Sequence, residues 1–369
     1  MQKNVKKKIC IIAELGTSHG GDRAKALELV DAAAESGADC VKCQIVYADE
    51  ILHPHTGNVT LPGGEIPLYG VFKSLERGID FYEDIKARAE ERGLLFLATP
   101  FGRKSAGILH TLGPRAVKIA SPELNFTALL EETASWGVPM YLSTGVSTLG
   151  TIEEALYRIR EIFPAPPQDP EFCPITLLHC VTAYPAPPEE YNLRVLSSME
   201  GIFGVPVGVS DHTVGPILVP VLAAALGAPV IEKHFCLSRK DPGLDDLLAL
   251  EPGDFRRMTG EIRRAAGMDP GALIEELRGQ FGPLVDRTMG TGVKALAPSE
   301  RANYGRTNRS IHALRDIAPG ERIGAGMIGV LRTEKLLRPG LPPCWERQIL
   351  GRKALQFIPA GEGIRFEDI

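Results

Sequence analysis

Eight short apolar runs, each rich in β-branched residues, recur over roughly the first two thirds of the chain and constrain its fold more than any other feature. Near-continuous hydrophobicity over so few residues is typical of strands that are buried on both faces of a parallel sheet. The runs are KICIIAEL (8–15), ADCVKCQIV (38–46), LLFLATP (94–100), AVKIAS (116–121), PMYLSTG (139–145), ITLLHCVTAYP (175–185), VPVGVSD (205–211) and APVIEKHF (228–235).

Amphipathic helical segments separate these runs. After the first run, Asp22 is a candidate N-cap and Gly37 ends the predicted helix. Strands alternating with helices in this way predict an α/β fold, the (β/α)8 TIM barrel. An open doubly wound sheet is the alternative, but such a sheet is expected to carry a glycine-rich phosphate loop, and GTSHGGD is not one. Further helices are predicted over 80–92, 126–136, 151–163, 193–199 and 216–226.

The sequence changes character after residue 285. Residues 286–308 are polar and irregular and are predicted to form a linker. From 309 to 369, short alternating runs broken by Gly and Pro predict a small β-rich domain that packs against the rest. The predicted division is therefore a barrel over 1–285, the linker and the small domain. The long segment 47–79 is predicted to form a lid or rim at the barrel mouth.

Charge and composition exclude several classes of function. With 41 basic and 46 acidic side chains, a net charge of −5, the chain lacks the basic excess of a nucleic-acid-binding protein. Neither a secretory signal nor a membrane span is predicted, since the longest uncharged run, 215–231, contains three prolines. Cys40 and Cys43 form the one CxxC inside an apolar run, which favours a reduced, cytoplasmic protein over a metal or redox site.

Polar residues stand at the carboxyl end of almost every predicted strand, where a TIM barrel carries its active site. His212 and His234 end adjacent strands, with Glu14 and Asp211 expected nearby. Together they predict a site for manganese, magnesium or zinc acting as a Lewis acid. In chain order the strand ends contribute Glu14, Lys42 and Gln44, Thr99, Lys118 and Ser121, Ser143 and Thr144, His179 and Thr182, Ser210 to His212, and Glu232 to His234.

Two lysines inside the predicted barrel, Lys42 and Lys118, lie among strand-end hydroxyls. Because an unpaired buried ammonium is costly, they predict a site for a phosphate or carboxylate. The alternative is a pyruvate aldolase on the same barrel, which depends either on a metal or on a Schiff base at Lys118.

Taken together, the motifs resemble the sialic acid synthase family over essentially the whole chain. The SDHT and EKHF motifs are its most specific signals, and RSIHALRDIAPGERI resembles the antifreeze-like (SAF) domain of the same family. The matching motifs are IAELGTSHGGD (12–22), ADCVKCQ (38–44), TPF (99–101), KIASPEL (118–124), LSTG (142–145), HCVTAYPAP (179–187), VSDHTVG (209–215), ALGAPVIEKHF (225–235) and LEPGDF (250–255).

The resemblance implies a metal-assisted condensation of phosphoenolpyruvate with an N-acetylated aldose, which gives a nine-carbon 2-keto acid and phosphate. N-acetylmannosamine and the diacetamido precursors of legionaminic and pseudaminic acids are all candidate acceptors, and spore-coat polysaccharide members are similar too. The metal is implied to be manganese, with magnesium as the alternative, bound by the residues matching His212 and His234.

The resemblance also implies roles for individual residues. Arg309 is implied to enter the active site from the SAF domain of a partner subunit, which predicts a homodimer with exchanged domains. Phosphoenolpyruvate is implied to contact Lys42, Gln44, Thr99, Lys118, Ser121, Ser143, Thr182 and Ser210. The residues implied around the sugar, the metal and the water are Glu14, Glu123, Tyr184 and Asp245. Glu14, Glu123, Lys118 and Asp211 are the predicted catalytic residues, and Phe101 is a further substrate-binding residue.

Several positions depart from the family's pattern and leave the acceptor open. Ser18 and Thr182 stand where Asn is usual, Cys43 where Phe is usual, and Asp246 where His is usual; RPGLPPC (338–344) replaces the usual RPGTGI-type loop. A non-enzymatic carbohydrate-binding or ice-binding protein is a further hypothesis, and the polar strand ends argue against it.

Overall fold

The computed structural model describes residues 8–61, 64–164 and 174–369. Its strands are β1 Cys10–Gly16, β2 Cys40–Ile45, β3 Asn58–Leu61, β4 Gly64–Pro67, β5 Leu95–Pro100, β6 Val117–Ile119, β7 Met140–Ser143, β8 Ile175–His179, β9 Val207–Asp211, β10 Val230–His234, β11 Arg309–Ala313 and β12 Ile328–Arg332. Its helices are α1 Arg23–Glu35, α2 Ala48–Ile51, α3 Leu68–Ser74, α4 Ile79–Glu91, α5 Arg103–Thr111, α6 Thr127–Ala134, α7 Leu149–Ile162, α8 Val195–Phe203, α9 Leu218–Ala225, α10 Pro252–Ala265, α11 Pro270–Phe281, α12 Leu284–Met289 and α13 Glu346–Ile349.

Eight parallel strands form one sheet in the order β5-β2-β1-β10-β9-β8-β7-β6. The first strand, β1, pairs with the last, β10, as well as with β2, so the sheet curls round on itself. Among the described residues, β5 and β6 are the two strands that lack a hydrogen-bonded ladder on one side. An open doubly wound sheet does not pair its first and last strands, so the TIM-barrel prediction is confirmed.

The core has two layers because successive side chains of a strand face opposite sides of the sheet. Inside the barrel, Ile12, Leu97 and Leu178 pack together with Cys40. Cys43, three residues along β2, instead joins the layer between the strands and the helices. The two cysteines of the CxxC therefore face opposite sides of the sheet and do not form one metal site.

The helices begin and end where local signals indicate. The Asp22 side chain accepts a hydrogen bond from Lys25 N at 2.9 Å and caps α1. Gly37, with a φ of +86°, follows the last turn of that helix. Leu29 and Val30 on the inner face are fully buried, so this helix is fixed by both its cap and its apolar stripe.

The C-terminal part, residues 309–369, is built on the antiparallel pair β11–β12. Ile311, Ile317, Ile358 and Ile364 are fully buried at its centre. The segment 47–79 packs against this part: Thr56 Oγ1 donates to Thr333 O at 3.1 Å. The predicted rim thus connects the barrel mouth to the C-terminal part.

Residues 286–308 have more structure than the predicted irregular linker. They begin inside α12, and Glu300 is only 1% exposed. No described helix is both long and apolar enough to span a membrane.

Candidate active site

A small cavity of about 70 Å³ opens at the carboxyl ends of the barrel strands, where most of the predicted site residues meet. Its lining combines amines, carboxylates, hydroxyls and imidazoles, which is the mixture that the strand ends predict. The lining residues are Glu14, Lys42, Gln44, Lys118, Ala120, Ser121, Pro122, Ser143, Tyr184, Ser210, His212, Glu232, His234 and Asp245.

Lys42 and Lys118 reach the cavity from β2 and β6 and are almost fully buried. Lys42 Nζ lies 2.8 Å from Glu14 Oε2, and Lys118 Nζ donates to Ser143 Oγ at 2.7 Å. Burial lowers the pKa of Lys118. Burial acts in the same direction on Lys42, but the neighbouring carboxylates outweigh it and raise the pKa of that lysine. The two amines therefore differ in basicity although they share one cavity.

Glu232, a predicted strand-end residue to which the sequence assigned no role, lies between the two lysines. Its Oε1 is 3.7 Å from both Lys42 Nζ and Lys118 Nζ and accepts a hydrogen bond from Ser210 Oγ at 2.9 Å. Burial acts to raise the pKa of Glu232, but the two ammonium groups outweigh it and lower that pKa. Its position two residues before His234 on β10 is the signal that places it on the same inner face.

Glu14 is the other carboxylate in the cavity wall. Its Oε1 accepts a hydrogen bond from Gln44 Nε2 at 2.8 Å. Burial raises the pKa of Glu14 despite the opposing charge of Lys42. A carboxyl group with a raised pKa close to a ligand is suited to proton transfer.

His212 and His234 face each other with ring centroids 5.5 Å apart. His212 Nδ1 lies 2.7 Å from Val181 O, so Nδ1 carries the proton and Nε2 keeps its lone pair. Burial lowers the pKa of both histidines, which keeps the imidazoles neutral. The described residues contain no group of three or more His, Cys, Asp or Glu arranged to hold a metal. The two neutral imidazoles are nitrogen donors of the kind that divalent metals bind.

Tyr184 and Asp245 stand at the outer end of the cavity. The Tyr184 ring stacks on His212 at a centroid distance of 4.4 Å and is 52% exposed. Burial, together with the charge of Glu14, raises the pKa of Asp245 to about 7. The Asp245 side chain is nevertheless 23% exposed, so a ligand can reach both residues from the solvent.

Three predicted hydroxyl ligands lie in or just behind the cavity wall. Thr99 Oγ1 accepts a hydrogen bond from Lys42 Nζ at 3.4 Å. Ser121 Oγ accepts a hydrogen bond from Gly145 N at 3.0 Å. Thr182 Oγ1 is buried and has no hydrogen-bond partner among the described residues.

The structure places Asp211, a predicted catalytic residue, outside the lining of the cavity. Asp211 lies between Ser210 and His212, both of which line the cavity, so strand alternation turns its side chain toward the helices. There its Oδ2 is 2.6 Å from Lys233 Nζ, and both side chains are fully buried. Thr213 N donates to its Oδ1 at 2.8 Å. Asp211 is therefore part of a buried ion pair behind the site.

Glu123 also lies outside the cavity lining, at the junction with the C-terminal part. Arg309 Nε and Arg332 Nη2 both donate to its Oε1, at 3.0 Å and 2.7 Å. The predicted contribution of Arg309 from a partner subunit is not needed for this contact, because both arginines belong to the same chain as Glu123. The homodimer stays a prediction.

Phe101 belongs to the same junction. Its carbonyl accepts a hydrogen bond from Arg309 Nη2 at 2.7 Å, and the guanidinium of Arg332 lies 5.3 Å from its ring centroid. Arg332 is a residue that sequence reasoning missed, because only the fold brings it to the barrel mouth.

Two positions that depart from the expected motifs contact each other. Ser18 Oγ donates to Asp246 Oδ1, and Asp246 Oδ2 accepts a hydrogen bond from Gly243 N at 2.9 Å. The loop that carries Asp245 is therefore tied to the segment after β1.

Comparison with known proteins places the chain. The profile of the NeuB family matches residues 29–270, and that of the SAF domain matches residues 308–369. The chain belongs to the NeuB family. This NeuB-family chain is 34% identical to N,N'-diacetyllegionaminic acid synthase of Campylobacter jejuni, over 97% of its own length and 99% of the relative. It is 32% identical to a pseudaminic acid synthase of the same species, over 99% and 98% of the two chains.

A solved structure agrees with this assignment. The crystal structure of the spore coat polysaccharide biosynthesis protein SpsE of Bacillus subtilis superposes with a TM-score of 0.80 at 32% identity, covering 98% of this NeuB-family chain and 95% of the other. The predictions of a synthase-type enzyme, of the family and of a C-terminal SAF domain are confirmed.

Proposed function

We propose that this enzyme condenses phosphoenolpyruvate with the open-chain aldehyde of an N-acetylated amino sugar, with release of phosphate. The observation that carries the proposal is the pair of buried lysines, Lys42 and Lys118, that converge with hydroxyl groups on one cavity beside two neutral imidazoles. Fixed cations and hydroxyl donors in a dry site suit a ligand that carries both a phosphate and a carboxylate.

In this proposal the two lysines hold the anionic groups of phosphoenolpyruvate. Ser143 Oγ accepts a hydrogen bond from Lys118, and Ser210 Oγ donates one to Glu232. Thr182 Oγ1 has no partner among the described residues. Ligand oxygens would take over these bonds when they enter. The further predicted contacts of the same ligand are Gln44, Thr99 and Ser121.

In the reaction, the C3 methylene carbon of phosphoenolpyruvate attacks the aldehyde carbon. A new C–C bond forms, the C=O π bond of the aldehyde opens, and its oxygen takes up a proton to become the hydroxyl of the product. Water then adds at C2, and the C2–O bond to phosphate breaks to leave the keto group. Glu14 is the carboxylate that we assign to the proton of this water, because it lines the cavity and burial raises its pKa. Glu123, which is bonded to two arginines outside the cavity, is assigned to holding the SAF domain.

His212 and His234 are the residues that would hold a divalent metal, manganese by resemblance. Such an ion supplies Lewis acidity that polarises the acceptor aldehyde. The Val181 carbonyl fixes the tautomer of His212, and burial keeps both rings neutral, so the protein offers lone pairs without a competing proton.

The acceptor is proposed to enter past Tyr184 and Asp245. Phosphate release from phosphoenolpyruvate, measured with manganese against N-acetylmannosamine and the two diacetamido sugars, tests the reaction and the acceptor together. Release that depends on one sugar supports the proposal. If phosphoenolpyruvate does not bind at all, the synthase reaction is wrong for this chain.

A lysine-dependent pyruvate aldolase is the second candidate, because burial lowers the pKa of Lys118 and so favours a free amine. Borohydride reduction in the presence of pyruvate separates the two. Covalent trapping at Lys118 supports the aldolase, and phosphate release without trapping supports the synthase.

A homodimer is also proposed, and the cytoplasm is the proposed location. Mixing two inactive variants, Glu14→Gln and Arg309→Ala, tests whether Arg309 acts across subunits. Recovered activity in the mixture supports exchange of SAF domains. No recovery, in a mixture shown to contain hybrid dimers, supports action within one chain, as in the contact between Arg309 and Glu123.

A further inference from the structure

The segment 294–308, which joins the barrel to the SAF domain, makes a series of hydrogen bonds to the loop after β7. Lys294 Nζ donates to Thr144 O at 2.9 Å. Glu300 Oε1 accepts a hydrogen bond from Val146 N at 2.8 Å, and Asn308 Nδ2 donates to Val146 O at 3.0 Å. Both polar groups of the Val146 backbone are therefore held by this one segment.

The same segment holds the loop after β8. Glu300 Oε1, the oxygen that binds Val146 N, also accepts a hydrogen bond from Thr182 N at 2.8 Å. Asn303 Nδ2 lies 3.3 Å from Thr182 O and donates to it. One carboxylate oxygen thus joins the ends of two neighbouring strands, and both polar groups of the Thr182 backbone are held as well.

These bonds act on a backbone that needs support. Val146 has a φ of +42°, which is unfavourable for a β-branched residue. The loop also approaches β8 closely: a Cβ on Gly145 would lie 2.1 Å from Thr182 Oγ1 and 3.0 Å from Ser121 Oγ. The relative position of Ser121 and Thr182 therefore depends on a conformation that the chain adopts only under constraint.

Glu300 itself is fixed from the other side. It is 1% exposed, and its Oε2 accepts a hydrogen bond from Ala297 N at 3.0 Å. The side chain is not part of the cavity lining, so it has no direct contact with a ligand there. A buried carboxylate that accepts three backbone N–H groups is a rigid and specific connection.

We propose that Glu300 is a positioning residue for phosphoenolpyruvate binding: it joins the loops after β7 and β8 and so sets the places of Ser143, Ser121 and Thr182 in the cavity wall. The segment 294–308 thus connects the two domains and also supports the substrate site. The identity of the ligand in this inference rests on the proposed function. The hydrogen bonds that join Glu300 to the two loops do not depend on it.

The test compares Glu300→Ala and Glu300→Gln with a matched control, Glu190→Ala. Glu190 lies further along the connection between β8 and α8 and binds the same segment, through Ser299 N at 3.0 Å and Ser299 Oγ at 2.6 Å, but its carboxylate bonds to neither Val146 nor Thr182. Glu300→Gln keeps an oxygen acceptor for the two loop amides but loses the acceptor for Ala297 N. Its effect is expected to lie between those of wild type and Glu300→Ala, and it serves as the test variant if Glu300→Ala does not fold.

The first measurement is amide hydrogen exchange in peptides that cover 143–148 and 180–184. In Glu300→Ala, exchange in both peptides is expected to be faster by about tenfold or more, while peptides from the opposite side of the barrel are unchanged. Glu190→Ala is expected to leave both peptides protected. Unchanged exchange in Glu300→Ala would overturn the inference whether or not the protein uses phosphoenolpyruvate.

The second measurement is steady-state kinetics. The KM for phosphoenolpyruvate is expected to rise about tenfold in Glu300→Ala, and the KM for the acceptor sugar to stay within about twofold. An equal rise in both KM values, or the same rise in Glu190→Ala, would show that Glu300 has only a general structural role. If wild type itself neither binds phosphoenolpyruvate nor releases phosphate, the proposed function fails, and hydrogen exchange still decides the connection.

Discussion

The inner and outer faces of β8, β9 and β10 carry similar residue types, but the inner face lines the cavity and the outer face packs in the core. The inner face presents Ser210, His212, Glu232 and His234 to the cavity. The outer face carries His179, Asp211 and Lys233, which are all buried. Residue type alone does not separate the two sets, but position in the strand does, because neighbouring residues face opposite sides.

The two faces differ in how their charged side chains are paired. On the outer face, Lys233 Nζ binds both Asp211 Oδ2 and the carbonyl of Thr213. His179 Nε2 lies 2.6 Å from Tyr191 O, and its Nδ1 has no hydrogen-bond partner among the described residues. On the inner face, Glu232 Oε2 is buried without a hydrogen-bond partner among the described residues. A buried ion pair such as Asp211–Lys233 stabilises the fold, and a buried carboxylate with an unpaired oxygen such as Glu232 indicates a place for a ligand.

Metal removal gives the largest expected difference between the faces. Exhaustive chelation is expected to lower activity by at least about 10³-fold, because Lewis-acid stabilisation is worth several kcal/mol, and manganese is expected to restore it. His212→Asn is expected to lose bound manganese on dialysis, and the outer-face variant His179→Asn to retain it, as measured by metal analysis. Equal retention in both variants would contradict the assignment of His212.

The next prediction concerns Lys118, whose amine lies in the cavity. Lys118→Met is expected to lower kcat/KM for phosphoenolpyruvate by about 10²–10³-fold, because it removes a fixed charge from the site. Its thermal midpoint is expected to fall only slightly, since Lys42 Nζ remains 3.7 Å from Glu232 Oε1 as a counter-ion. Steady-state kinetics and thermal unfolding on the same preparation check both parts. A lower stability without a loss of specific activity would show that Lys118 stabilises the fold and does not bind substrate.

On the outer face, Asp211→Asn is expected to lower the free energy of unfolding by about 3–5 kcal/mol, because the buried Lys233 loses its counter-ion. The double variant Asp211→Leu with Lys233→Met is expected to regain most of that stability. Denaturant unfolding of the single and double variants measures the coupling. If Asp211→Asn is inactive but as stable as wild type, the catalytic role that the sequence suggested for Asp211 is right after all.

The smallest expected effect is on pH dependence. Burial lowers the pKa of His179 to about 3, so the folded protein does not bind a proton there while the unfolded chain binds one below about pH 6.5. Stability is therefore lost as the pH falls, by about 2 kcal/mol for this residue between pH 6.5 and 5. Unfolding measured across this range is expected to show a shallower slope in His179→Asn. An unchanged slope would mean that His179 is not buried as a neutral group.

Much of the fold and part of the site follow from local patterns in the sequence. The eight apolar runs match eight barrel strands, and the strand ends supply the lysines, the histidines and Glu14. Strand alternation alone places Asp211 on the outer face once His212 is on the inner face. It likewise places Glu232, two residues before His234, on the inner face. The strand-end residues were grouped without regard to the two faces of each strand, so Asp211 received a catalytic role and Glu232 received none.

The remaining site residues have no comparable local signal. Glu300 contacts Val146 across 154 positions of sequence, and Arg332 contacts Glu123 across 209. Such contacts are made when two separately patterned parts of the chain pack together. Only the tertiary structure brings them to the mouth.

The double arginine contact of Glu123 has a consequence for synthesis on the ribosome. Glu123 leaves the ribosome 186 residues before Arg309, its first partner. At 5–20 residues per second, this interval is about 10–40 s. During that time the nascent barrel keeps a charged group that only later sequence can neutralise. Within one chain, the contacts of Glu123 with the C-terminal part can therefore form only after Arg309 and Arg332 have been synthesised.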